Sequence, residues 1–331
     1  MMLSFDLNEK KIYSPNKFFD TKNSLTFVTV VFSGELANLL LQARSLALYG
    51  NDAIKQWVIV LNDEIMPEQK QKLFLSIKKE ISSAHFPVFW VDRKDMTDFD
   101  FSQVEGSRSQ QVIKIMVSNF IEDDLYVLLD AKNHAIRELK PSFFSHEGYP
   151  IVHEQEYEDW SPFTRWFTNA FNLLGLPLDR KIYEKYQSTT PYVMETNIVK
   201  KCMDNKILNS EHSWEYFIFL GWDDIHSITE FALYGAVFEF YKRKSILAEK
   251  NYVTLFDGYP NGQSEVMKFI EKMDDKKIKF FSIHRNRAST LNLEESTYLS
   301  EHWVSCGLFS SVENGIYFLK HGLEDDYHLS A

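Results

Sequence analysis

The stretch Leu125-Tyr-Val-Leu-Leu129 constrains the fold most. Five apolar residues run without a break, preceded by the acidic turn Glu122-Asp123-Asp124 and cut off by Asp130, Lys132, Asn133 and His134. A short apolar run closed at both ends by polar residues has no face to offer solvent, so it reads as a strand buried on both sides. Ahead of it, Val112, Ile113, Met116, Val117 and Phe120 recur at helical spacing between Ser109 and Ile121. The unit is therefore helix, buried strand, polar cluster. It sets charge and amide groups at a strand's carboxyl end, where open α/β sheets bind ligands.

The same unit precedes it in the chain. Leu25–Phe32 reads as a strand ending at Ser33-Gly34-Glu35, and Leu36–Tyr49 as a helix closed by Gly50-Asn51. Gln56–Leu61 is a second strand, ending at Asn62-Asp63; a helix spans Pro67–Ser82; Phe86–Val91 is a third strand, ending at Asp92-Arg93. Alternation of this kind gives a mostly parallel sheet. Right-handed crossovers then bring Ser33, Asn62, Asp63 and Asp130 to one edge. Beyond residue 135 the alternation breaks down. A strand is expected at Tyr149–His153, an acidic loop at Glu154–Asp159, and a helix at Phe163–Leu174 stopped by Gly175-Leu-Pro177. Thr189–Met194 is extended, Glu195–Met203 and Ser227–Phe240 are helical, and Ser213–Phe219 suits helix or strand. A late strand, Lys279–Ile283, runs into His284-Arg285-Asn286-Arg287. The opening segment, with a turn at Ser14-Pro15-Asn16, is a short hairpin or a loose arm, and the tail from Leu291 mixes signals. The expectation is one compact α/β domain: a βαβ half over residues 1–135 and a mixed α+β half over 136–331.

Composition narrows the function classes. The net charge is −11, so no nucleic-acid partner is expected. With 12 glycines and neither a Walker loop nor a GxGxxG pattern, the chain lacks the usual glycine-rich phosphate cradles. Cys202 and Cys306 offer neither zinc-finger spacing nor a disulfide framework, which fits a reducing compartment. The first residues lack a basic flank and an apolar core, and no apolar run is long enough to span a bilayer. A cytoplasmic protein is expected.

The order of elements, with Asp130-Ala131-Lys132 closing the central strand, resembles the nucleotide-sugar-dependent glycosyltransferases of the GT-A type. More narrowly, Leu129-Asp-Ala-Lys-Asn133, Thr190-Pro-Tyr-Val193 and Thr229-Glu-Phe-Ala-Leu-Tyr-Gly235 are similar to a bacterial glycosyltransferase-like family associated with surface polysaccharide loci, such as capsule or lipopolysaccharide. The likeness covers about residues 25–290. It implies a GT-A-like Rossmann-type sheet whose first half binds the nucleotide and whose second half binds the acceptor. It also implies transfer of a sugar from a nucleotide-diphosphate donor to a hydroxyl of a glycan or lipid-linked acceptor. The usual GT-A motif, Asp-x-Asp, ends in a second Asp, and here position 132 is Lys. Either Asp130 and His284 still hold Mg²⁺ or Mn²⁺ as metal ligands, or Lys132 itself neutralises the diphosphate and no metal is needed. The second is the expectation, because an ammonium removes an oxygen ligand and adds positive charge.

The resemblance implies roles for particular side chains. Lys132, His284 and Glu230 form the catalytic set, with Glu230 as general base and Asp223-Asp224 as rivals for that role. Ser33, Glu35, Asn62, Asp63, Arg108, Lys114, Asp130, Lys132 and Arg285 form the nucleotide-binding set. Trp160, Trp166, Tyr192 and Trp222 are candidates to stack on a sugar ring. Lys242–Lys250 and Lys276–Lys279 suit peripheral contact with the inner membrane. Every one of these residues also has an ordinary use in caps, turns, solvated faces or core. Two other readings stay open: a nucleotidyl- or phosphotransferase on a similar sheet, and a non-catalytic protein that binds nucleotide sugar or glycan.

Overall fold

The computed structural model describes residues 7–15, 23–155, 161–177, 185–257, 260 and 262–321. The elements run β1 (Lys11–Tyr13), β2 (Leu25–Val31), α1 (Leu36–Tyr49), β3 (Ile54–Leu61), α2 (Pro67–Glu80), β4 (Val88–Asp92), α3 (Gly106–Met116) and β5 (Leu125–Asp130). They continue through β6 (Asn133–Ala135), β7 (Ser145–His146), β8 (Tyr149–His153), α4 (Pro162–Leu173), β9 (Tyr192–Glu195), α5 (Thr196–Cys202), α6 (Trp214–Phe219) and α7 (Glu230–Phe240). The last are β10 (Ile246–Ala248), β11 (Tyr252–Leu255), α8 (Gln263–Glu271), β12 (Phe280–Ile283), α9 (Arg285–Thr290), α10 (Leu293–Ser305) and α11 (Val312–His321).

The main sheet has the order β1-β4-β3-β2-β5-β9. Its four inner strands are parallel, with Thr29 beside Ile59 on one side and Leu129 on the other. The two edge strands are antiparallel, and β9 lays Tyr192 against Leu128. The protein is thus a mixed α/β fold with a parallel-rich central sheet. All seven residues of β2 and all six of β5 are buried, as unbroken apolar runs require. Phe27, Trp57, Ile59 and Val127 point to one face, under α1 and α2 and the helices after β11. Val28, Val58, Tyr126 and Leu128 point to the other, under α3, α4, α5 and α7. Each such side chain contributes roughly 1.5–3 kcal/mol when fully buried.

Several expectations change in detail. The helix expected over 109–121 is α-helical from Gly106 only to Met116 and tightens to a 3-10 turn over Val117–Phe120. The last helix of the 227–240 stretch begins at Glu230, because Thr229 Oγ1 accepts from Ala232 N at 3.2 Å and caps it. Trp214–Phe219 resolves as helix. Asn133 and His134 are strand rather than solvated loop: β6 turns straight back after β5 and pairs antiparallel with β12, Asn133 opposite Ser282. β11 lies parallel on the other side of β12. The Lys242-Arg-Lys244 run is exposed, and Arg243 pairs with Glu195 at 2.7 Å. The tail is helical from Leu293, with Asn292 and Glu295 closing a capping box. Trp160, Asn16 and the acidic residues 156–159 lie outside the described residues. No helix among those described is long and apolar enough to cross a membrane.

Candidate active site

Parallel strands deliver their carboxyl ends to one edge, and a cavity of about 750 Å³ opens there. Its wall includes Glu35 after β2, Asn62 and Asp63 after β3, Lys114 on α3, Asp130 and Lys132 after β5, Glu230 on α7, and His284 and Arg285 after β12. Six elements spread over the chain therefore converge on one space.

Asp130 is its anchor. Lys114 Nζ lies 2.7 Å from Asp130 Oδ1 and 3.0 Å from Glu230 Oε1, and Lys132 Nζ lies 2.7 Å from Asp130 Oδ2. Thr190 Oγ1 donates to Oδ2 at 2.9 Å, and the Asp130 backbone N–H donates to Asn133 Oδ1 at 2.7 Å. Burial alone would push the Asp130 carboxyl up, but the two ammonium groups outweigh it and hold it far below the usual carboxylate range. The same pairing raises Lys114 against its own burial. The turn that carries Lys132 is fixed from behind. Gln42 of α1 donates to both Asp130 O and Asn133 O at 2.8 Å, and Asn133 Nδ2 donates to Ser282 Oγ at 2.6 Å. Trp303 Nε1 donates to His134 Nε2 at 2.8 Å, so Nδ1 carries the ring proton and faces Lys132 O at 3.3 Å. Burial depresses His134 to about 3, which keeps this ring neutral.

His284 caps α9, its Nδ1 accepting from Asn286 N at 3.3 Å. Burial and the neighbouring Lys132 and Arg285 lower its pKa, so the ring is neutral at pH 7 and Nε2–H is left as a donor. Arg285 lies over the Phe32 ring at 5.0 Å and reaches across Gly34, where a Cβ would stand 2.6 Å from its Nη1. The cavity's other side is aromatic, with Phe163, Trp166 and Trp222.

The remaining sequence candidates divide. Asn62 Nδ2 donates to Gly106 O and Ser109 Oγ, both at 3.0 Å, and leaves its buried Oδ1 without a partner. The Asp63 carboxylate accepts from Ser33 N at 2.9 Å, and Ser33 lines a neighbouring cavity rather than this one. Arg108 is only 1% exposed and sits behind Trp222, 3.8 Å from the ring, donating to Ile228 O; it does not line the cavity. Tyr192 is core, and Asp223 and Asp224 lie outside the cavity wall. Sequence reasoning missed Phe32, Gln110, Gln111 and Phe256, all on the wall. On α3, Ser107, Gln111 and Lys114 fall at spacings of four and three and so share one face, but Arg108, Ser109 and Gln110 on the same helix blur the stripe in the sequence.

The donor set does not fit a divalent ion. Mg²⁺ or Mn²⁺ needs several hard oxygen ligands. Both Asp130 oxygens face ammonium groups, and no three His, Cys, Asp or Glu side chains among the described residues are grouped to hold a metal. Ammonium stands where a cation would have to enter.

Fold and site define an α/β protein with a charged cavity on the carboxyl edge of its sheet. The chain belongs to the family described as "family of unknown function (DUF6492)", which matches residues 12–276. No curated protein matches it. Similar solved structures include the apo form of the glycosyltransferase GlyE of Streptococcus pneumoniae TIGR4, at 12% identity over 86% of this chain and 64% of that one, TM-score 0.43. The apo structure of the bifunctional glycosyltransferase WbbM matches at 14% identity over 89% of this chain and 52% of its own, TM-score 0.48. The galactosyltransferase LgtC, in complex with donor and acceptor sugar analogues, matches at 10% identity over 85% of this chain and 100% of its own, TM-score 0.48. The chain thus spans less than two thirds of the first two.

Proposed function

We propose that this protein is a glycosyltransferase that moves a sugar from a nucleotide-diphosphate donor to a hydroxyl of a glycan or lipid-linked acceptor. The observation that carries the reading is the presence, in one cavity, of the cationic Lys132 and Arg285 and the hydrogen-bond donor His284 together with the aromatic Phe163, Trp166 and Trp222. The first set suits a diphosphate and the second a sugar ring. Residues 1–135 supply the nucleotide side and 136–331 the acceptor side, with His284 and Arg285 of the second half reaching back to the diphosphate. Lys132 and Arg285 neutralise the diphosphate, and His284 Nε2–H donates to it, in place of a metal ion. The bond from the anomeric carbon to the phosphoryl oxygen breaks, and its electron pair leaves with the diphosphate. The acceptor oxygen forms the new bond, and its proton passes to Glu230, whose Oε1 is held by Lys114 while Oε2 remains for the acceptor. The setting we propose is bacterial surface polysaccharide synthesis at the cytoplasmic face of the inner membrane, with at most peripheral contact through the exposed Lys242-Arg-Lys244 run.

A thermal-shift panel of nucleotide diphosphates and nucleotide sugars, run with Mn²⁺ and with EDTA, tests this. A ligand that binds the native state raises Tm by mass action. A shift with one nucleotide family that survives EDTA, disappears in Lys132→Ala and is followed by release of free nucleotide diphosphate supports the reading. A shift that requires Mn²⁺ overturns the role of Lys132. Binding with no release across an acceptor panel favours the binding-protein reading, and nucleotidyl transfer to the acceptor favours the nucleotidyltransferase.

A further inference from the structure

Glu35 stands apart from the other carboxylates of the cavity. It is 7% exposed, directly follows the β2 turn and lines the cavity. Asp130 and Glu230 are each ion-paired, whereas the Glu35 carboxyl makes no hydrogen bond, not even as cap of α1, and no ion pair among the described residues. The charges that face it come from every side of the cavity: Lys132 and Asp130 from the β5–β6 turn, Lys114 from α3 and Arg285 from α9. The Glu35 oxygens open onto the cavity instead of being sealed off, and a carboxylate held mostly out of water with no partner favours the neutral acid.

Charge balance points the same way. Arg93, Lys114, Lys132 and Arg285 share the wall with Glu35, Asp63, Glu105, Asp130 and Glu230, with His284 neutral. An ionised Glu35 leaves this wall with a single negative charge; a protonated one leaves it without net charge. Only the second lifts the repulsion of a diphosphate where no divalent ion assists.

We infer that Glu35 binds the donor as a neutral acid, taking one proton from solvent as the nucleotide sugar enters and donating its O–H to the ligand. The inference rests on the nucleotide-sugar reading of the cavity and assigns this side chain the role of proton carrier instead of ribose acceptor. Burial raises the Glu35 pKa in the free protein, and an anionic ligand raises it further. Affinity is then highest at pH values below the free-protein pKa and falls as pH rises towards the pKa of the complex. Each unit between the two pKa values weakens binding about tenfold across that window.

The experiment is calorimetric titration of the full chain with the nucleotide sugar that gives the largest thermal shift, from pH 5 to 8 in buffers of different ionisation enthalpy. The diphosphate of a nucleotide sugar is a diester with no titrating proton in this range, so uptake belongs to the protein. Uptake approaching one proton per ligand is expected, absent in Glu35→Gln and retained in His284→Asn. Glu35→Gln should bind at pH 8 as tightly as the unaltered protein binds at low pH, while Glu35→Ala should lose the hydrogen bond as well. Binding that depends on Lys132 but is pH-independent, or proton uptake that survives Glu35→Gln, overturns the role of Glu35 and leaves the nucleotide-sugar reading standing. Absence of binding at every pH overturns both.

Discussion

Replacing Lys114 by Met tests whether the cavity is assembled around a buried charge cluster. The Lys114 side chain is 6% exposed and bridges Asp130 and Glu230 at 2.7 and 3.0 Å. Methionine fills much of the same volume but leaves both carboxylates buried, with Glu230 deprived of its ammonium. Removing one partner of a buried pair costs about 3–5 kcal/mol, most of it the desolvation of the charges left behind. For 331 residues the unfolding entropy is about 0.7 kcal/mol per degree, so a 4 kcal/mol loss lowers Tm by about 6 °C. The sign with pH is a sharper test. In the unaltered protein Asp130 titrates far below the unfolded carboxylate value, so its contribution is present above about pH 4 and is lost only as pH falls through its depressed folded pKa. In Lys114→Met, Asp130 keeps Lys132 while Glu230 is left buried without its ammonium, and burial without a partner favours the protonated acid over the unfolded carboxylate. The variant's deficit should therefore shrink as pH falls from 7 to 5. Urea denaturation followed by circular dichroism at both pH values measures the deficit, and Lys114→Met/Glu230→Gln should recover about 2 kcal/mol of it, since the two sites are in contact. A deficit below about 1 kcal/mol, or one that does not change with pH, would refute the argument that this cluster is dry and coupled.

Three further outcomes follow from the same geometry. Lys132→Ala, which leaves Asp130 paired with Lys114, should cost little stability but weaken nucleotide-sugar binding by about 10- to 100-fold, about 1.4–2.8 kcal/mol by calorimetry. Trp303→Phe strands the buried His134 Nε2 and should cost about 1–3 kcal/mol in urea denaturation, with a smaller loss of donor affinity because the Lys132 turn loosens. Trp222→Leu removes a ring from the cavity and from Arg108; it should raise the acceptor KM about tenfold, with donor affinity by calorimetry nearly unchanged.

The chain's local code is explicit over the first 130 residues. Leu36–Tyr49 is helical over the span its apolar spacing predicts, and the four parallel strands fall within two residues of the buried runs that announce them. Periodicity and burial are properties of neighbouring residues, so a single sequence displays them. That Asp130, Asn62, Asp63 and Glu35 share one cavity wall was readable for the same reason, since a parallel sheet must deliver its strand ends to one edge. Contacts that join distant parts of the chain were not readable. The Lys114–Glu230 pair spans 116 positions, and the Asn133–Ser282 bond that turns β6 back from apparent loop into strand spans 149. Nothing local distinguishes Arg108, stacked behind Trp222, from Lys114, which faces the cavity from the same helix. Helix phase against the sheet separates them, and that phase is set by packing. The sequence determined where charge gathers, because strand ends and turns are local. The tertiary structure decided which of those charges are spent on one another and which remain for a ligand, because an ion pair depends on distance in space and not along the chain.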